Sequence, residues 1–135
     1  MGWSIDAYYN ISNIEIDYFI QEHNIKNNNE ISKHFYEKLT GKEYNIYSSV
    51  HYYNKDGEHY IYEYYQCNCI RDHKKLHEKP PNMLGTCLLW IRSSDDAIQI
   101  AKNLRDYYHD DDVLINFAEW LETTSKYCHL YKLSM

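Results

Sequence analysis

From position 3 to 11 apolar and polar residues alternate, with Trp3, Ile5, Ala7, Tyr9 and Ile11 on one side and Ser4, Asp6, Tyr8 and Asn10 on the other. A two-residue period is that of a half-buried β-strand. The period then changes. Ser12 followed by Glu15 forms a capping box, Ile11 and Ile16 stand where a hydrophobic staple would clamp the entry, and Ile16, Phe19, Ile20 and His23 recur at the spacing of an amphipathic helix. Lys26 to Asn29 break this pattern. A second helix is expected to carry Ile31, Phe35 and Leu39 on one face and to stop at Gly41, which tolerates the left-handed conformation of a helix end.

Two strands follow, over residues 43–53 and 58–69, joined by Asn54-Lys55-Asp56-Gly57. Asp-Gly between alternating runs is a strong hairpin signal. Pro80-Pro81 forbids regular structure, so 71–85 reads as an insertion or loop, and the nearly all-apolar run 86–91 reads as a strand covered on both faces. Ser93 with Asp96 makes a second capping box, opening a helix whose buried side is Ala97, Ile100, Ala101, Leu104, Tyr107 and Tyr108. Asp110, Asp111 and Asp112 suit the positive end of the next helix, which carries Leu114, Phe117, Ala118 and Leu121. A last strand is expected over 127–133. This order predicts one α+β domain over residues 1–135: a mixed, mainly antiparallel five-stranded sheet with helices on one face, in a split βαβ (ferredoxin-like) arrangement with doubled helices.

A chain of 135 residues buries enough surface to fold without a metal or disulfide staple. Its 14 basic against 20 acidic residues, a net charge of −6, disfavour nucleic acid and anionic membrane as partners. The longest apolar run, Cys87 to Ile91, is far too short to span a membrane, and the amino terminus has no signal-peptide pattern. Four cysteines without such a signal read as reduced thiols, which implies a cytoplasmic or other intracellular setting. Usage weighted to Asn, Ile, Lys and Tyr is that of an AT-rich genome, viral, protist or bacterial.

Cys67, Cys69, His73 and His77 are the most chemical-looking group, and zinc is the cofactor they would hold. Only Ile70, Arg71 and Asp72 separate the cysteine pair from the histidine pair, whereas fingers leave about a dozen residues for a hairpin and helix to fold round the ion. The reading without a cofactor is therefore preferred: thiols at a strand end and histidines on a wet helix face. Cys87 and Cys128 lie in expected strands, where thiols are inert fillers, and the four glycines form no phosphate-binding loop. No enzymatic site emerges.

The tyrosines carry more. Eight of the sixteen lie between Tyr44 and Tyr65. Tyr60, Tyr62 and Tyr64 alternate on one expected strand, with Tyr47 and Tyr53 on one face of its hairpin neighbour, so the hairpin presents an aromatic ladder. Tyrosine combines contact area, a polar tip and little rotamer entropy to lose, which suits a binding surface. An RNA-recognition motif also displays sheet aromatics, but Glu58 and Glu63 stand where it needs basic character, so single-stranded nucleic acid is a minor alternative. The expectation is a non-enzymatic protein-interaction module, its Tyr-rich sheet face or acidic edge docking a protein partner or a second copy in a homodimer.

Overall fold

Among the described residues, alternate strand positions are buried against four amphipathic helices. The structure, a computed structural model, describes residues 4–45, 50–66 and 93–134. In order, the elements are β1 (Ser4–Asn10), α1 (Asn13–His23), α2 (Asn28–Thr40), β2 (Val50–Lys55), β3 (Glu58–Gln66), α3 (Ser94–Tyr107), α4 (Asp112–Thr124) and β4 (Leu130–Ser134). The strands lie in the order β2-β3-β1-β4 and every neighbouring pair is antiparallel.

The class is α+β, and among the described residues the sheet has four strands, each antiparallel to its neighbours, so the mixed pairing expected does not occur among them. The reason is the strand order. β1 and β2 point the same way with β3 between them, and β3 and β4 point the same way with β1 between them, so neither helical connection leaves a parallel pair side by side. The fifth strand expected at 86–91 and the insertion at 71–85 lie outside the described residues.

Local chemistry accounts for the element ends. Asn27 caps α2 by accepting from the Glu30 amide at 3.1 Å, Ser93 caps α3 through the Asp96 amide at 3.2 Å, and Asp111 caps α4 through the Leu114 amide at 3.2 Å. Ser12 differs from the expected capping box. Its side chain makes no cap bond, and its backbone carbonyl instead accepts from the Ile16 amide at 3.1 Å. The hairpin turns on Asp56 (φ 55°) and Gly57 (φ 81°), the paired positive dihedrals of a two-residue turn matched to strand twist. Residues 43–45, expected in the first hairpin strand, are not in strand conformation, and the Tyr44 amide donates to Glu37 Oε2 at 2.9 Å. β4 starts at Leu130 rather than 127, since the amides of Tyr127 and Cys128 both turn back to the Thr124 carbonyl at the end of α4.

One core joins the elements. Ile5, Ala7 and Tyr9 of β1, Val50, Ile61 and Tyr131 pack with Ile16, Phe19, Ile31, Phe35, Ala97, Ile100, Leu104, Leu114, Phe117 and Leu121 of the helices. Of the two tyrosines expected inside, Tyr108 is buried and Tyr107 is 58% exposed, because successive helical positions point about 100° apart. Leu39 likewise stands at the margin of the core, 37% exposed. Among the described residues no helix is long and apolar enough to cross a membrane.

Candidate functional site

The strand parity that buries Ile5, Ala7 and Tyr9 sends Ser4, Asp6, Tyr8 and Asn10 to the side of the sheet opposite the core. The register then assembles a face from all four strands. Across β1 and β3, Asp6 faces Tyr64, Tyr8 faces Tyr62 and Asn10 faces Tyr60. Across β2 and β3, His51 faces Tyr62 and Tyr53 faces Tyr60, and β4 adds Leu130 opposite Tyr8 and Lys132 opposite Asp6. Tyr53, Tyr60, Tyr62 and Tyr64, expected from the sequence to share a face, do so. Tyr47 lies outside the described residues.

The rings touch in a continuous network. Tyr8 meets Tyr60 edge to face at 5.8 Å and 85°, and meets Tyr62 at 5.6 Å. Tyr53 meets Tyr62 edge to face at 6.4 Å, and the His51 ring stacks on Tyr64 at 5.7 Å and 8°. Edge-to-face contact sets the positive rim of one ring against the negative face of another.

Carboxylates punctuate this surface. Asp6 is sunk among the rings, 8% exposed, and burial pushes its carboxyl above the usual range, against the opposing pull of Ser4, Lys132, His51 and Tyr8. Burial, with the Asp6 charge next, pushes the Tyr8 phenol up to about 12. At the hairpin end, the Tyr60 hydroxyl donates to Glu58 Oε2, and that bond raises the Tyr60 phenol in turn. These phenols are neutral donors at pH 7. A cavity of about 360 Å³ opens here, lined by Tyr8, Tyr53, Asp56, Glu58, Tyr60, His129, Leu130 and Lys132.

The opposite side of the sheet holds a second acid. Glu63, level with Ala7 in β1, accepts from Trp120 Nε1 at 2.9 Å. Burial raises its carboxyl, while bonds from Trp120 and Tyr36 and the Lys42 charge pull the other way. Nearby, the Tyr131 hydroxyl bonds Thr124 Oγ1 at 2.7 Å, and Thr124 Oγ1 donates to the Trp120 carbonyl at 2.8 Å. Cys128 is buried and burial raises its thiol, the condition of an inert filler.

Cys67, Cys69, His73 and His77 lie outside the described residues. Among the described residues no three His, Cys, Asp or Glu side chains are grouped to hold a metal ion. Of the acidic run, Asp111 serves as the α4 cap. Tyr8, His51, Asp6 and Lys132 join the site without having been singled out in the sequence. The alternation of β1 had already put Asp6 and Tyr8 on one side, and only the pairing of β1 with β3 and β4 brings them to the hairpin tyrosines. No protein-family model, curated protein or solved structure matches this chain.

Proposed function

We propose that this chain is a non-enzymatic protein-docking module whose tyrosine face lies against a basic surface of a partner protein. The observation that carries this is the gathering of Tyr8, Tyr53, Tyr60, Tyr62 and Tyr64 from three strands onto the side of the sheet away from the helical core. Rigid amphipathic rings supply contact area at low entropic cost. The net charge of −6, with Asp56 and Glu58 at the hairpin end, favours a cationic partner through electrostatic complementarity. The scaffold in this proposal is the split βαβ, ferredoxin-like layout with a helix pair in each connection, which leaves one sheet face for docking. The order β2-β3-β1-β4 supports it.

The test compares three proteins as bait in low-salt lysate: the native chain, the triple variant Tyr53→Ser/Tyr60→Ser/Tyr62→Ser, and Tyr18→Ser, which alters a 63% exposed tyrosine on α1. The expected result is a stoichiometric basic protein held by the native chain and by Tyr18→Ser and lost from the triple variant. Retention indifferent to the triple substitution overturns the reading, as does a monomer by light scattering that holds nothing. Concentration-dependent doubling of mass, abolished by the triple variant, would replace the basic partner with a second copy.

A further inference from the structure

The cavity at the hairpin end of the tyrosine face has the chemistry of a cation receptor. Its lining includes tyrosines from three strands, Tyr8 from β1, Tyr53 from β2 and Tyr60 from β3. Tyr8 and Tyr60 stand at 85° to each other, so they form two walls of a corner rather than a flat stack. Ring faces carry negative potential and attract a cation held over them within about 6 Å. Asp56 and Glu58 close the hairpin side, and the Tyr60 hydroxyl fixes the Glu58 carboxylate in place.

Lys132 also lines this cavity. It stands in register with Asp6 and its charge favours the Asp6 carboxylate, and the cavity lining sets two carboxylates, Asp56 and Glu58, against this one lysine. A volume of about 360 Å³ is at the small end for ligand pockets, which run from about 300 to 1,000 Å³, and suits one long side chain rather than an extended molecule. Among cationic side chains, arginine fits best. Its planar guanidinium stacks on an aromatic face while its N–H fork bonds a carboxylate, and it sheds water more readily than an ammonium group does.

We propose that the cavity between Tyr8, Tyr53 and Tyr60 receives an arginine side chain of the partner protein, with the guanidinium bonded to Glu58. This deepens the docking reading and rests on it.

The test titrates the full chain with three blocked tripeptides, Gly-Arg-Gly, Gly-citrulline-Gly and Gly-Lys-Gly, and follows tyrosine ring signals by NMR. The arginine peptide is expected to give saturable shifts at Tyr8, Tyr53 and Tyr60, with an affinity about tenfold above that for the uncharged citrulline peptide and severalfold above that for the lysine peptide. Tyr53→Leu, at a 41% exposed position, should abolish the shifts, and Glu58→Gln should weaken binding about three- to tenfold, each with its fold checked by the amide spectrum. Tyr18→Leu should change nothing. Absence of saturable shifts, equal binding of citrulline or lysine, or indifference to both cavity substitutions overturns the proposal. If a protein is captured through the tyrosine face while the arginine peptide binds nowhere, the docking reading stands and this inference falls.

Discussion

On the helix-covered side of the sheet Tyr9 and Tyr131 are 2% and 1% exposed, whereas across the same strands Tyr8, Tyr60, Tyr62 and Tyr64 are half-buried and Tyr53 is 41% exposed. One residue type thus fills two environments, and position parity along the strand decides which. Inside, Tyr131 behaves as a large core side chain whose hydroxyl is satisfied by Thr124 and the Leu121 carbonyl. Outside, the rings pack mainly on one another, and the hydroxyls of Tyr8 and Tyr60 serve carboxylates of the same face. Each side also sinks one acid among its rings, Glu63 within and Asp6 without. The inner tyrosines therefore belong to stability, and the outer ones are those the docking proposal assigns to recognition.

Truncation tests this division most strongly. Tyr131→Ala removes a ring from a closed core beside Trp120 and is expected to cost about 3–5 kcal/mol. Tyr53→Ala, on the outer face, is expected to cost under about 1 kcal/mol. Urea unfolding of the two variants measures the gap, and equal losses would erase the distinction between the faces. A finer cut removes hydroxyls alone. Tyr131→Phe should cost about 1–2 kcal/mol, because Thr124 loses a buried partner, while Tyr62→Phe should stay within about 0.5 kcal/mol.

Much of the inner face was legible in the sequence because its signals are local. The stripe Leu114, Phe117, Ala118 and Leu121, the caps at Ser93 and Asp111, and the Asp56-Gly57 turn all act within a few residues, and the structure shows each of them. The outer face was half legible. Parity grouped Tyr60, Tyr62 and Tyr64, and the turn tied them to Tyr53. What joined Tyr8, Asp6 and Lys132 to them is the register of β1 with β3 and β4, a pairing between segments far apart in the chain that no local pattern encodes. Glu63 needs no such register to be placed. Treated as one more acid on a tyrosine strand, it stands opposite in parity to Tyr62 and Tyr64, and so faces the core.

That half-buried carboxylate gives the subtlest comparison between the faces. Burial raises Glu63, so its folded pKa lies above its unfolded one and the native state binds protons more readily than the unfolded chain. A group of this sign favours the fold fully below the unfolded carboxyl pKa, and that contribution is lost as pH rises through the folded value. At pH 7 the charged form is a burden. Glu63→Gln keeps an acceptor for Trp120 Nε1 and removes the charge, so it should stabilise the protein at pH 7 by on the order of 1 kcal/mol. The gain should shrink as pH falls through the folded value toward the unfolded carboxyl pKa, as Glu63 becomes protonated in both states. Asp6→Asn should gain less than about 0.5 kcal/mol at pH 7, because it also discards the favourable charges of Lys132 and His51. Thermal melts of both variants and the native chain from pH 4 to 7 separate the two acids. A loss of stability in Glu63→Gln at pH 7 would mean that the Trp120 and Tyr36 bonds and the Lys42 charge outweigh desolvation. Glu63 would then be a structural ion like any exposed one, and the contrast between the faces would reduce to ring packing alone.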